Sequence, residues 1–591
     1  MSGQQAIAFG IVGSTLVMLV WGRWRYDVVA VLALLSVVFG GLVPPGDAFA
    51  GFAHPAVITV AAVLIISRGL QNAGLVDAVV KAVGPLRGRP GLQITAQCAV
   101  IAILSGFMNN VGALALMLPV ALRNAYRDGY SPGRSLMPLA FASLLGGLTT
   151  LIGTPPNIII SGFRAQTSGQ AFGMFDFLPV GVAVAVFGLL FLALAGRFLI
   201  PVRGRASDPG MAFSIKGYIA EAQVPPDAPA IGKAVFELEK MAENDVTVAA
   251  IIQGDQRRLV PAGHERVGAG DVLVLRGDTD SLKSLIDTAG LQLGGADAIQ
   301  REDLQSDDIE LVEAVVSPGS STIGRTPTSL RLRTFFGLNL FAIARQGHRI
   351  DERLSHVEIR SGDVMLLQGP RSNLSKTLTE LGLLPLAERS LDLGRKQRLA
   401  VAATIFAASI LLILSEILPP HIAFTAAAAC FVITDLVKTS EIYTAIDWPV
   451  VVLLGALFPV ASALDSSGAT TLIAEAILQL TEARGPTITL VVLLVATMFV
   501  SDLINNNATA LLMAPIAVTV ATRLGVSADP FLMAVAIGAS CAFLTPIGHQ
   551  SNALVMEPGG YRFSDYWRVG LPLECIIVLV AVPMLLIVWP M

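Results

Sequence analysis

The chain has 591 residues, 54% of them apolar and only 14% charged, with a mean hydropathy of +0.69. Soluble domains carry about 25% charged residues, so these figures exclude a wholly soluble protein and indicate a membrane protein with a soluble part. The formal net charge of -4 and the lack of a basic run argue against a nucleic-acid partner.

Charge-free tracts run 6–21, 28–46, 55–67, 91–122, 135–163 and 177–196. A helix of about 20 apolar residues spans a bilayer, so 91–122 and 135–163 are too long for one simple span. The first carries Asn109 and Asn110 at its middle and reads as a re-entrant hairpin turning there. The second carries Gly-Thr-Pro-Pro-Asn at 153–157. Pro155 and Pro156 remove two helix donors, which predicts two half-helices joined by unwound backbone. Residues 72–88 are amphipathic and too short to cross, as an interfacial helix would be. The N-terminal stretch has no basic n-region, so no cleaved signal peptide is expected.

From about Ser207 to Arg389 charges become frequent and apolar runs shrink to strand length. One pattern occurs twice: Ile231-Gly232-Lys233, VTVAAII at 246–252 and GAGDVLVLRG at 268–277, then Ile323-Gly324-Arg325, LNLFAIAR at 338–345 and RSGDVMLLQG at 360–369. Two small α+β modules follow, at 207–297 and 298–388, with the Gly-Asp pairs as hairpin turns.

Apolar tracts resume at 399–415, 422–434, 448–464, 485–522, 529–556 and 569–591, the last containing Glu574. They repeat the first half. SDLINNNATALLMAPIA at 501–517 echoes SGFMNNVGALALMLPVA at 105–121, and Thr545, Ile547, Gly548 and Asn552 echo Thr150, Ile152, Gly153 and Asn157. The membrane units are therefore 1–203 and 395–591. Cys98, Cys430, Cys541 and Cys575 lie in apolar tracts without paired spacing and read as membrane-core residues, with no disulfide or transition-metal site.

Three plain spans, a hairpin, a broken span and a final span give an odd number of crossings per unit. The expected fold is a polytopic α-helical membrane protein of about ten spans, with two inverted repeats bearing re-entrant hairpins and broken helices and two small α+β cytosolic domains between them. Arg23 and Arg25 flank the first span; Arg197, Arg203, Arg205, Arg395, Lys396 and Arg398 flank the insert. The positive-inside rule then places the insert in the cytoplasm and both termini outside a cell (inner or plasma) membrane.

Amides in hydrocarbon are costly unless they bind something or each other. The tips Asn109-Asn110-Val111 and Asn505-Asn506-Asn507 should therefore meet the breaks Thr150–Asn157 and Thr545–Asn552 near the midplane. Carbonyl and amide oxygens suit a hard cation, and half-helix N-termini suit an anion. Lone intramembrane asparagines often only bond neighbouring helices; five at two matched tips favour a site. Asp502 lies between charge-free stretches, as a cation or proton site or as an anchor to a buried partner. His549, where the first half has Thr154, either meets the anion or caps a half-helix.

At these residues the chain resembles the divalent-anion/sodium symporter family of the ion-transporter superfamily. NNVGALALMLP at 109–119 and NNNATALLMAP at 505–515 match its tip motif, and Ile152 to Asn157 match its Gly-Thr-Pro-Pro-Asn element. TPIGHQSN at 545–552 resembles the branch with central soluble modules, and the insert resembles paired TrkA-C (RCK C-terminal) domains. The resemblance implies a homodimer that works as an elevator. It implies sodium sites at Ser105, Asn109, Asn110 and Gly153 and at Ser501, Asn505, Asn506 and Gly548, to which Asp502 and Thr545 are added as cation candidates from the residues alone. It implies substrate contacts at both tips, Val111 and Asn507 included, and at Thr154, Pro155 and Asn552, to which Asn157, His549 and Ser551 are added as candidates from their place in the breaks. The family's tip serines are Asn here, and its threonines are Val111 and Asn507, which keeps sulfate open beside a dicarboxylate and protons open beside sodium.

Three functions remain in view. One is sodium-coupled symport of a small divalent anion, with the modules regulating it or stabilising the dimer and a small regulatory ligand on them left open. Another is cation antiport using Asp502. The third is a channel gated by the modules, which hairpins meeting at a midplane site fit less well than occlusion. No cofactor is expected, and no nucleophile–base arrangement, phosphate loop or GxGxxG points to an enzyme.

Overall fold

The computed structural model describes every residue except 1, 22, 76–89, 202–218, 242–245, 254–255, 260, 262, 277–278, 294–308, 318–319, 346–347, 351–353, 355–356, 386–394 and 482–484. The interfacial helix expected over 72–88 falls mostly outside the described residues, as do Arg203 and Arg205.

Two sets of membrane helices follow one another in the same order. The first is α1 (Gly3–Trp21), α2 (Tyr26–Phe39), α3 (Pro55–Asn72), α4 (Pro90–Ser105), α5 (Asn110–Arg127), α6 (Gly133–Gly147), α7 (Pro155–Ser168) and α8 (Leu178–Phe191). The second is α9 (Arg395–Leu414), α10 (Pro420–Ile433), α11 (Thr439–Ala445), α12 (Trp448–Ser466), α13 (Ala469–Thr481), α14 (Gly485–Leu503), α15 (Asn506–Leu524), α16 (Asp529–Ser540), α17 (Gln550–Met556) and α18 (Tyr566–Val588). Eight helical segments among the described residues are long and apolar enough to cross a membrane.

Local chemistry sets the boundaries. Proline occupies the first turn of α3, α7, α8, α10, α12 and α16, where its missing N–H is harmless. Residues in the left-handed region follow α2 and α10: Gly41 at φ +70° and Asp435 at φ +57°. These stops leave α2 and α10 at 14 residues each. That is about 21 Å, short of the plain spans expected from 28–46 and 422–434. In the second hairpin both arms, α14 and α15, have 19 residues and are of spanning length.

The two copies interlock reciprocally. α2 packs on α12 and α10 on α3, while α8 packs on α18. Half-helix α7 lies against α15 and α16, and half-helix α17 lies against α5 and α6. A single apolar cluster runs through both copies.

Between the copies stand two antiparallel sheets. The first contains β1 (Ile219–Gln223), β2 (Thr247–Gln253), β3 (Gln256–Leu259), β4 (Val272–Arg276) and β5 (Gln292–Leu293) in the order β3-β2-β4-β1-β5. The second contains β6 (Ile309–Val316), β7 (Asn339–Arg345), β8 (His348–Arg349), β9 (Val364–Pro370) and β10 (Leu383–Pro385) in the order β10-β6-β9-β7-β8. Read from opposite ends these are one topology, and each carries a bulge at the same place, Val248/Ala250 and Leu340/Ala342. One face of each sheet packs on its own helices through Leu273 and Leu275, or Met365 and Leu367. The other face, with Val274 or Val364 and Leu366, joins the cluster of the membrane helices.

The Gly-Asp pairs are not hairpin turns. Gly270 (φ +85°) and Gly362 (φ +82°) each end a loop and launch the central strand, β4 or β9. Each bonds back to the edge of its neighbour, at Val224 and Val316, and the aspartate accepts from Gly268 or Arg360. Gly362 also touches the membrane part: a Cβ there would lie 2.9 Å from Pro558 Cδ. The cysteine expectation is corrected in part, since Cys98 and Cys541 are buried but Cys430 and Cys575 are exposed on the protein surface; all four are free.

Candidate functional site

The hairpin turns at 106–109 and 504–505, and the broken spans part at 148–154 and 541–549, as the motifs predicted. Asn109 accepts from Val111 N at 3.2 Å and Asn505 from Asn507 N at 2.8 Å, so the first asparagine of each tip caps the returning helix. Asn506 Oδ1 also accepts from Asn507 N, at 2.9 Å.

Each break is closed by the same set of bonds. Thr150 donates to Gly106 O and accepts from Gly153 N at 3.2 Å; Thr545 donates to Asp502 O at 2.7 Å and accepts from Gly548 N at 3.2 Å. Asn157 donates to Gly147 O and Thr150 O at 3.3 and 2.8 Å, and Asn552 to Ala542 O and Thr545 O at 2.8 and 3.1 Å. Thus a threonine ties each break to its hairpin and an asparagine ties the two half-helices together. Gly153 and Gly548 sit where a Cβ would lie 2.5 Å from Gly147 O and 2.6 Å from Ser501 O. Thr154 and His549 begin the second half-helices with nearly the same backbone angles, φ -145° and ψ 141° against φ -143° and ψ 137°.

The copies differ in what they hold. In the first, Asn110 is buried with Ser105 at 2.5 Å, and its amide fits best with Nδ2 donating to Ser143 O at 3.1 Å and Gly153 O at 3.2 Å. Its other end lies 3.4 Å from His549 Nε2 of the second copy. Ser501, the partner of Ser105 in sequence, donates instead to Ala539 O at 2.6 Å. No side-chain hydrogen bond among the described residues joins Asn505, Asn506 or Asn507 to the first break.

Asp502 Oδ1 accepts from Leu544 N at 2.9 Å, and Glu574 Oε1 accepts from the preceding amide, Phe543 N, at 3.2 Å. The two buried carboxyls stand side by side against the second break. Sequence reasoning noted Glu574 but gave it no part; its isolation in an apolar span was the available signal. It also missed Tyr566, whose hydroxyl donates to Asn552 O at 2.7 Å. Tyr561 was missed too: its hydroxyl accepts from Met137 N at 2.8 Å and donates to Gly133 O.

Several polar atoms here are buried with no hydrogen-bond partner: Thr154 Oγ1, Ser551 Oγ, Asn507 Oδ1, Asn157 Oδ1 and Asn552 Oδ1. Such atoms are costly unless a ligand meets them. All five are neutral oxygens in the first turns of helices, suited to a hard cation or to the hydrogens of a bound anion's shell; Asp502 Oδ2 is likewise buried without a partner, and no cationic side chain stands among the four motifs. Among the described residues no cluster of three His, Cys, Asp or Glu could hold a transition metal.

Comparison with known proteins gives the arrangement a context. The model of a family described as citrate transporter matches residues 16–538 and 482–591. An uncharacterized transporter of Synechocystis sp. is 33% identical over 98% of this chain and 96% of its own length. An uncharacterized transporter of Escherichia coli is 28% identical over the full length of both chains, 100% of each. Sodium/sulfate cotransporter 1 of Chlamydomonas reinhardtii is 28% identical over 57% of this chain and 40% of its own.

Proposed function

The chain belongs to the citrate transporter family, and from that premise we propose that it is a secondary active transporter coupling a cation, sodium, to the symport of a small divalent anion of the sulfate or dicarboxylate kind. The observation that carries this reading is the pair of identically bonded breaks, each leaving buried oxygens without partners beside a hairpin tip. A transport site at a repeat interface needs that arrangement, since it must bind a desolvated ion and release it. Sulfate is favoured by the names of relatives, three of which read sodium/sulfate cotransporter, one of them with the qualifier probable. Ser105, Asn109, Asn110 and Gly153, with Ser501, Asp502, Asn505, Asn506, Thr545 and Gly548, hold the cations in this reading. Val111, Thr154, Pro155, Asn157, Asn507, His549, Ser551 and Asn552 surround the anion.

The rest of the assignment is part of the same proposal. The membrane copies are inverted repeats, the hairpins and breaks move as an elevator against the other helices of a homodimer, and the sheet modules are cytoplasmic regulators of the TrkA-C kind. The alternative, cation antiport through Asp502, is less well supported. One oxygen of Asp502 and one of Glu574 accept from consecutive amides of the break, so exchange would fall to Asp502 Oδ2 alone, which is buried without a partner.

The test is uptake of labelled sulfate, succinate and citrate by proteoliposomes under inward sodium or proton gradients. Sodium-dependent entry of one of these anions, weakened but not abolished in Asp502→Asn, is expected. Cation exchange with no anion entry, abolished in Asp502→Asn, would replace the symporter reading with the antiporter.

A further inference from the structure

His549 Nδ1 accepts from Ser551 N at 3.0 Å. A nitrogen that accepts carries no proton, so the neutral ring is protonated at Nε2. Nε2–H points at the Asn110 amide 3.4 Å away. With Asn110 Nδ2 donating to Ser143 O and Gly153 O, the end facing the ring is Oδ1, an acceptor. The ring tautomer and the amide orientation are mutually consistent.

We propose that His549 is a specificity-determining residue of the transport site, presenting Nε2–H as the donor that an oxygen of the substrate anion takes over from Asn110. Three features support it. The Asn110 bond is long for N–H···O, whose usual range is about 2.7–3.2 Å, so an anionic oxygen at normal distance displaces it readily. The ring is buried and its other nitrogen is fixed by the backbone, so the donor is aimed before the anion arrives. Ser551 Oγ, two residues on, and Thr154 Oγ1, at the matching position of the first copy, are buried without partners. The chemistry recognised is a bare oxygen of an oxyanion; a neutral donor meets it without a cationic side chain. In the first copy Thr154 is too short to reach across as His549 does, which makes the site polar from one side.

This inference rests on the anion-transporter reading and is tested separately from it. Sulfate uptake is measured for wild type, His549→Gln and His549→Glu. Both substitutions remove the cap on Ser551 N. Only glutamine keeps an N–H donor at the reach of Nε2, whereas glutamate puts an acceptor there. The KM for sulfate is expected to rise about ten-fold or more in His549→Glu, the loss of one hydrogen bond to a charged group, and to be largely recovered in His549→Gln. Where the glutamate variant does not reconstitute, His549→Leu is compared with His549→Gln by the protection that sulfate gives against thermal unfolding. Leucine should lose the protection and glutamine retain it. Equal KM values for glutamine and glutamate, or equal protection for glutamine and leucine, would reduce His549 to a cap and overturn the inference. Absence of any anion uptake by wild type would overturn the transporter reading, and this inference with it.

Discussion

Asn157 and Asn552 do the same work in the two copies: each amide donates two hydrogens to carbonyls that the break has freed from helix bonding. Replacement by leucine fills the same space and leaves two buried carbonyls unpaired, at about 1–3 kcal/mol each. Asn552→Leu should therefore lower the thermal unfolding midpoint of the purified protein, and Asn157→Leu should lower it comparably. A midpoint unmoved in both would contradict the bracing role. These residues were legible in the sequence because an amide inside hydrocarbon, next to Gly and Pro, has few uses. The use itself was not legible. The N–H groups of Asn157 and Asn552 are committed to the backbone, which leaves Oδ1 of each for a ligand, and only the register of the fold reveals the carbonyls they meet. The link from Asn110 to His549 was hidden for the same reason, since it joins residues 439 positions apart.

At the scale of elements, two latches hold each copy's broken span to the other copy. Arg164, late in α7, makes a two-pronged ion pair with Asp529 at the start of α16, at 2.8 and 2.9 Å. Its guanidinium also lies over Phe172, 4.5 Å from the ring centroid. At the other latch Tyr561, after α17, holds Gly133 and Met137 of α6. Tyr561→Phe removes both hydrogen bonds between the copies with almost no change in shape. A loss of about 1–3 kcal/mol follows, to be read as a lowered unfolding midpoint; a variant as stable as wild type would remove the latch from the account. The breaks and tips themselves were visible in the chain, because Pro-Pro and Asn-Asn interrupt otherwise apolar tracts. The short helices α2 and α10 were not. Their stops depend on Gly41 and Asp435 adopting a left-handed backbone, and nothing in composition marks Asp435 for that.

Across the whole molecule, the second sheet module seats its Gly362 turn on Pro558, immediately beyond half-helix α17. Beside that contact, burial raises the pKa of Glu557 above its ordinary 4.5; Asp363 adds to the rise, while Arg345 and Arg360 oppose it. A carboxyl whose pKa is raised on docking favours docking while it is protonated, and the contact weakens as pH rises through the raised value. Glu557→Gln, neutral at every pH, should accordingly hold the module more firmly at neutral pH, seen as slower hydrogen exchange over 357–363; faster exchange would reverse the sign. The repeated modules were readable as two copies of one strand pattern. Their strand order, and the turn that touches the membrane part, required the structure.

The central claim is that the two tips and their breaks form one transport site, and sulfate uptake into proteoliposomes under an inward sodium gradient tests it most directly when wild type is compared with Asn110→Ala and Asn506→Ala. The account predicts sodium-dependent uptake by wild type and its loss in each variant, although the two residues lie in different copies. Uptake at the wild-type rate in both variants would contradict it.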